Sequence, residues 1–279
     1  MKFTLEYCRS RIQKIFKTDS FIYGLGHKTL DFGISILSGQ GGTYLKLKSF
    51  NITSNNNKLV RIKCKNLKFP LNIRPGTMDS EIIISNIIRE EYGYIKLQGH
   101  AVRWIIDGGG YIGDTAAYFL NIYPESKVIS LEPDIRNFEI LKLNLRYYKE
   151  RAHCINKALF GDNTKMMISG NSDTDSTGGF VSEESENENN MSVECVSIPS
   201  LIDEYKIDSI DILKLDIEGA EGSVLNKSSN HWLSLIKMII IEIHSEALLL
   251  SISKVMQENE FKMFQYRSLW YCVNSREKK

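Results

Sequence analysis

The chain has 279 residues, 42% of them hydrophobic and 25% charged, with 35 Lys and Arg against 34 Asp and Glu. These are the proportions of a folded globular protein; they exclude disorder, collagen and coiled coil for its bulk and offer no general attraction to nucleic acid or anionic lipid. No apolar run approaches the ~18 residues of a membrane span, and Glu6, Arg9 and Arg11 fall where a signal peptide needs its apolar stretch, so a cytoplasmic location is expected. The five cysteines (Cys8, Cys64, Cys154, Cys195, Cys272) are scattered without a C-x-x-C pair, which argues against a disulfide framework and against a zinc site.

Residues 1–75 read as an N-terminal appendage. Phe3, Leu5, Cys8, Ile12 and Phe16 recur at helical spacing, and the runs KLVRIKCK and LKFPLNIR, divided by Asn66, predict a small antiparallel pair. Residues 76–279 read as a second unit. From Trp104 the chain alternates: strand RWIID, helix DTAAYFLNIY, strand KVISLE, helix IRNFEILKLNLRYY and strand AHCINKAL. Ser169 to Asn190 then holds six acidic residues and no Lys or Arg, the composition of a mobile solvated insertion. Strand VECVSI, helix PSLIDEYK, strand DILKLD and a short helix near Gly219–Leu225 follow. Strand KMIIIEIH, helix SEALLLSISKVMQEN and the consecutive strands FKMFQY and LWYCV complete the chain. Such alternation predicts an α/β fold, a doubly wound and mostly parallel sheet, here with a C-terminal antiparallel hairpin. Ligands of such sheets lie at the carboxyl ends of the strands, so Asp107, Glu132 and Asp216 stand at the decisive positions.

The first of these strands enters DGGGYIGDT. Gly108, Gly110 and Gly113 satisfy G-x-G-x-x-G, with Glu132 further on, and taken literally this is a dinucleotide fingerprint that supports a nicotinamide-dependent oxidoreductase. Asp107 points elsewhere. Beside a pyrophosphate its carboxylate would meet like charge, at about 4 kcal/mol for unit charges ~4 Å apart in an effective dielectric near 20. S-adenosylmethionine has no phosphate and carries a sulfonium and an ammonium, which a carboxylate favours. Glu132 suits either ligand as an acceptor for ribose hydroxyls.

The stretch IIDGGGYIGDTAAYFLNIYPESKVISLEPDIRNFEILKLNL, followed by DILKLDIEGAEGSVL and IIIEIH, resembles the FkbM family of S-adenosylmethionine-dependent methyltransferases, and LNIRPGTMDSEI resembles the segment ahead of that family's domain. The resemblance implies a class I methyltransferase-type fold, S-adenosylmethionine as cofactor, and a hydroxyl of a sugar, polyketide or other small molecule as acceptor. It places Asp107, Gly108, Gly109, Gly110, Tyr111, Gly113, Asp114, Glu132, Pro133 and Asp162 at the cofactor. Where the family's turn usually reads D-x-G-A-N-x-G, Gly110 and Tyr111 replace the alanine and asparagine. A tyrosine there alters the pocket, and a non-catalytic binding protein with Tyr111 blocking the cleft is a further alternative.

For the chemistry, Lys214, Asp216, Glu218 and His244 are the candidates. Transfer to oxygen needs donor and acceptor held in line and the hydroxyl proton removed. Asp216 ends its strand, Glu218 follows on the exit turn, and His244 ends the next strand with an ordinary pKa suited to proton removal near neutrality. Glu221 reads as a helix-start residue. Lys214, a charge inside a central strand, needs a partner. If the two strands end level, that partner is Glu242 or Asp216, within ~4 Å. No metal-ligand spacing is present, and neither an N-P-P-Y type segment nor a basic, aromatic-interleaved surface marks a nucleic-acid substrate.

Overall fold

The computed structural model describes residues 31–53, 58–95, 101–169, 180–181 and 190–277. The amphipathic segment Phe3–Phe16 and most of the acidic insertion lie outside the described residues.

Helix α1 (Gly41–Thr53) precedes the antiparallel pair β1 (Val60–Ile62) and β2 (Leu71–Ile73) that the two β-like runs predict. A short α2 (Asp79–Ile83) runs on into a π-helical turn, Ile84–Ile88. The strands and helices that follow are β3 (Trp104–Gly108), α3 (Asp114–Ile122), β4 (Lys127–Leu131), α4 (Ile135–Leu145) and β5 (Ala152–Ile155). Four short strands come next: β6 (Ala158–Leu159), β7 (Lys165–Ser169), β8 (Phe180–Val181) and β9 (Asn190–Val196). The chain ends with α5 (Ile198–Tyr205), β10 (Ile210–Leu215), α6 (Glu221–Val224), α7 (Asn230–Leu233), β11 (Ile236–Glu242), α8 (Glu246–Glu258), β12 (Phe261–Tyr266) and β13 (Leu269–Asn274).

The main sheet has the order β12-β13-β11-β10-β3-β4-β5. Its five inner and outer parallel strands, β11 through β5, carry the antiparallel hairpin β12–β13 on one edge. Strand order reverses between β3 and β10, because the chain first builds outward through β4 and β5 and then returns to the other side of β3. This is the doubly wound, mostly parallel sheet with a terminal hairpin expected from the alternation, in the class I methyltransferase-type form that the resemblance implies.

Two expectations need correction. AHCINKAL is not one strand: β5 stops at Ile155, and Asn156 turns away with its side-chain amide donating to the carbonyls of Glu132 and Pro133 (2.8 and 3.0 Å). Ala158–Leu159 instead pairs with β9 in a separate sheet, β6-β9-β7-β8, so VECVSI lies outside the main sheet. That small sheet also takes in residues of the acidic stretch, since β8 pairs with β7.

Period-two alternation sorts the sheet into two faces. Ile106, Leu213, Leu215, Ile239 and Ile241 pack under α5 and α8. Ile105, Ile212, Ile240 and Tyr271 pack on the other face, in one core with Tyr44, Leu47, Ile62, Leu71 and Ile73 from before residue 76. By the same alternation Asp107, Lys214 and Glu242 belong to this second face. One face of the sheet therefore runs apolar to its end, whereas the other turns charged at its carboxyl edge.

The glycine turn is dictated by close packing. A Cβ on Gly109, at φ +77°, would stand 1.8 Å from the Asp216 carbonyl oxygen. Gly219 is also left-handed (φ +99°), yet a Cβ there would meet nothing within 4 Å. Gly109→Ala is therefore expected to destabilise the fold by more than about 3 kcal/mol, and Gly219→Ala by only about 1 kcal/mol. Denaturant unfolding of both variants checks this, and equal losses would show that the close approach at Gly109 is not structural.

Candidate active site

The site begins with the pairing of β10 and β3, which sets Lys214 beside Asp107. Both side chains are buried, with Lys214 Nζ 3.1 Å from Asp107 Oδ1, 3.8 Å from Asp216 Oδ2 and 2.5 Å from the Gly109 carbonyl it donates to. The second Asp107 oxygen accepts from Ser130 Oγ at 2.7 Å. Burial by itself lowers the Lys214 pKa, but Asp107 and Asp216 outweigh it and hold the lysine well above its ordinary value.

This arrangement corrects two expectations. Lys214 pairs across to Ile240, not to Glu242; the strands do not end level, and continuing the register brings Glu242 beside Asp216. The expected Lys214–Asp216 contact is present, but Asp107 is the nearer partner. Asp107 itself is fully buried and neutralised beneath the glycine turn, so it is not the free negative charge at the lip of the crevice that the sequence suggested.

Open charge lies one layer further out. Asp216 is partly buried and Glu218, at φ +51° on the exit turn of β10, is half-exposed. His244, just past β11, brings Nε2 to 3.7 Å from Glu221 Oε1 and 4.0 Å from Glu218 Oε2. Glu221 is buried; its Oε1 accepts from the Ile217 amide at 3.1 Å, and its Oε2 has no hydrogen-bond partner. Glu242 joins the group: burial, and then the charge of Asp216, push its carboxyl up to about 7. Glu218 is raised by the same two causes.

Around the glycine turn the carboxylates are held by hydrogen bonds. Glu132 accepts from the amides of Tyr111 (2.9 Å) and Asp134 (3.0 Å). Burial nevertheless lifts it to about 7, with those bonds and Asn137 opposing. Asp114 opens α3 fully buried, accepts from Asn86 Nδ2 at 2.8 Å, and is raised to about 6 by burial. Tyr111 is pinned from upstream: its hydroxyl donates to Asp79 Oδ1 at 2.7 Å, and the Arg74 guanidinium, paired with Asp79, lies 5.6 Å from its ring centre. The segment RPGTMDSE thus acts as a clamp on the turn. Pro133 follows Glu132 at the end of β4, and Asp162 is exposed on the turn after β6.

Sequence reasoning missed Arg74, Asp79, Ser130 and Tyr92, and it gave Glu242 a purely structural part. Tyr92 is buried, and its hydroxyl is held protonated by burial and by the nearby charges of Asp216, Asp107, Asp114 and Glu242. Only Arg74, Asp79 and Glu242 had a signal, the first two in the quoted upstream segment and the third in its two-residue offset from His244. Among the described residues no group of three or more His, Cys, Asp or Glu is arranged to hold a metal ion, and no helix is long and apolar enough to cross a membrane.

The donors and acceptors discriminate between cofactors. Gly109 and Gly110 both give their amides to the Leu131 carbonyl (3.1 and 2.8 Å), Gly113 gives its amide to Gly110, and Tyr111 gives its amide to Glu132. Those amides are therefore engaged within the protein, and the helix start carries a carboxylate. A pyrophosphate would find four of the turn's amides already engaged and would meet the Asp114 carboxylate as like charge, which counts against the nicotinamide alternative. Asp107, Asp114, Asp216, Glu218 and Glu242 all feel the charge of the one buried lysine, and with Asp107 paired to it the remaining carboxylates fit a ligand bearing sulfonium and ammonium charges.

The comparisons with known proteins agree. Residues 107–263, more than half of the chain, match the family model described as the methyltransferase FkbM domain. The chain belongs to the FkbM methyltransferase family, and S-adenosylmethionine is its methyl donor. No curated protein sequence matches it. Among solved structures it is similar to the METTL16 MTase domain, at 12% identity over 69% of this chain and 68% of that one, TM-score 0.41. It is also similar to a methyltransferase from Pyrococcus furiosus (12%, 85% and 96%, 0.40) and to precorrin-6y C5,15-methyltransferase from Geobacter metallireducens GS-15 (8%, 62% and 78%, 0.35). Likenesses at that level carry no argument about activity.

Two outcomes follow from this geometry. Asp107→Ala leaves Lys214 buried and short of its nearest partner, so a loss of about 3–5 kcal/mol is expected in denaturant unfolding; a loss below about 1 kcal/mol would show the pair to be dispensable. Glu132, Glu242 and Asp114 bind their protons more tightly folded than unfolded. Their contribution to stability is thus complete below the ordinary carboxyl range and declines as pH rises through about 6 for Asp114 and about 7 for Glu132 and Glu242. Cation binding favours the ionised forms. Calorimetry is therefore expected to show S-adenosylmethionine affinity rising from about pH 6 to about pH 8, more steeply than that of the uncharged-sulfur product S-adenosylhomocysteine. Parallel pH responses would remove Glu132 and Glu242 from the cation's surroundings.

Proposed function

We propose that the enzyme methylates a hydroxyl oxygen of a sugar or other small-molecule or glycan acceptor. The observation that supports this most is the rim at the ends of β10 and β11, where Asp216, Glu218 and Glu242 gather beside His244. Carboxylates accept hydrogen bonds from hydroxyls, and an imidazole beside them can take a proton near neutrality.

S-adenosylmethionine supplies the electrophilic methyl carbon when bound. In this reading Glu132 keeps lone pairs for the ribose hydroxyls beyond those used by Tyr111 and Asp134. Gly108, Gly109, Gly110 and Gly113 let the backbone approach, with Pro133 and Asp162 bordering the adenine. Asp216 and Glu218 orient the acceptor hydroxyl. His244 takes its proton on Nδ1, since Nε2 faces Glu221 and Glu218. Lys214 is a positioning residue: it ties Asp216 to Asp107 and touches no acceptor itself.

His244→Ala is expected to lower kcat by about 100-fold or more while leaving S-adenosylhomocysteine affinity within about twofold. Equal losses in turnover and affinity would remove it as the base. Turnover with a panel of pyranosides, phenols and amines, followed by mass spectrometry, tests the acceptor atom: a methyl ether supports the reading, and a methylated amine overturns it.

A further inference from the structure

The hairpin β12–β13 carries an aromatic group that neither cofactor binding nor proton transfer uses. Tyr94, on the stretch leading from the π-helical turn to β3, packs its ring 5.0 Å from Tyr266 in a tilted contact and 5.1 Å from Phe264 and 5.4 Å from Tyr271 edge-on. Tyr271 is fully buried and Phe264 and Tyr266 are half-buried, whereas Tyr94 is 50% exposed. Core packing accounts for the lower three rings and leaves about half of the fourth residue's surface in solvent.

The position of this group is fixed by register. Glu242 pairs with Leu269, and Leu269 pairs with Tyr266. With strands ~4.8 Å apart, the Tyr266 backbone is about 10 Å from that of Glu242. Phe264 and Tyr266 share the face of the sheet on which Tyr271, Ile240 and hence Glu242 lie. The segment carrying Tyr94 is tied down nearby. Glu91 accepts from Arg267 Nη1 (3.3 Å) and Ser268 Oγ (3.1 Å), and Arg267 Nη1 also donates to the Arg89 carbonyl (2.8 Å). A partly open ring on a firm base therefore rests over a strand position about 10 Å from the Glu242 backbone, on the sheet face that carries the rim of carboxylates.

A pyranose has the complementary chemistry: a flat hydrocarbon face that stacks on an aromatic ring, and an equator of hydroxyls that donate to carboxylates. We propose that Tyr94, seated on Tyr266 and Phe264, is the platform on which a pyranose ring of the acceptor lies, with its hydroxyls turned to Glu242, Asp216 and Glu218. This rests on the oxygen-acceptor reading above and names both the substrate class and the surface that selects it.

The test uses the full chain saturated with S-adenosylhomocysteine. Saturation-transfer NMR from the aromatic protons is recorded to methyl α-D-mannopyranoside, methyl α-L-rhamnopyranoside, methyl β-D-glucopyranoside and catechol. Transfer to the C–H protons of at least one pyranoside is expected. It should fall about tenfold in Tyr94→Ala and be retained in Tyr94→Trp, with S-adenosylhomocysteine affinity unchanged in both. Transfer to no pyranoside, transfer to catechol alone, equal transfer in Tyr94→Ala, or loss of S-adenosylhomocysteine affinity in that variant each overturns the platform. A methyl ether formed on a sugar with the same KM in Tyr94→Ala would sink the platform and leave the oxygen-acceptor reading standing, whereas a methylated amine would sink that reading itself.

Discussion

The buried contact between Lys214 and Asp107 organises the catalytic end of this enzyme. It joins the two strands between which the sheet reverses, and it does so at the layer where the apolar interior gives way to the cleft. A lysine there would be untenable alone. With Asp107, Asp216 and the Gly109 carbonyl around it, it becomes a fixed cation that holds the glycine turn of β3 and the exit of β10 in one piece. The close approach of Gly109 to the Asp216 carbonyl is the backbone side of the same joint.

Because that lysine cancels Asp107, the negative field of the cleft comes from other residues. Asp216, Glu218 and Glu242 on one side and Glu132 on the other leave an excess of carboxylate over cation, and burial raises Glu132 and Glu242 towards neutrality. Such groups are costly to ionise without a cation nearby, and a sulfonium ligand relieves that cost. The same excess, together with turn amides already bonded inside the protein, makes the site a poor host for phosphate. In the proposed reading, selectivity for the methyl donor comes from the whole strand-end layer rather than from one residue at the lip.

Much of this was legible in the chain. The alternation of apolar strands and amphipathic helices gave the parallel sheet and its terminal hairpin, and the combination of the glycine turn, LEPD and KLDIEGAE carried the family. What resisted was register and partnership. The offset of β10 against β11 moves Glu242 from Lys214 to Asp216, because a pairing shift changes neighbours without changing either strand's own pattern. AHCINKAL divided between two sheets because Asn156 finds carbonyls at the end of β4, a tertiary contact that no local propensity encodes.

Sequence by itself determined which strands end in charge, since a carboxylate closing an apolar run must lie where the sheet meets solvent or ligand. It also determined that the opening turn had to be glycine-rich and, through that turn together with LEPD and KLDIEGAE, the class of enzyme. Only the tertiary structure decided which of those charges are neutralised and which remain open, because that depends on distances across strands far apart in the chain. Asp107 is cancelled by a residue 107 positions away, Tyr111 is clamped by Asp79 and Arg74 from ahead of the family-matched residues 107–263, and Tyr94 reaches the edge hairpin only once the sheet is assembled.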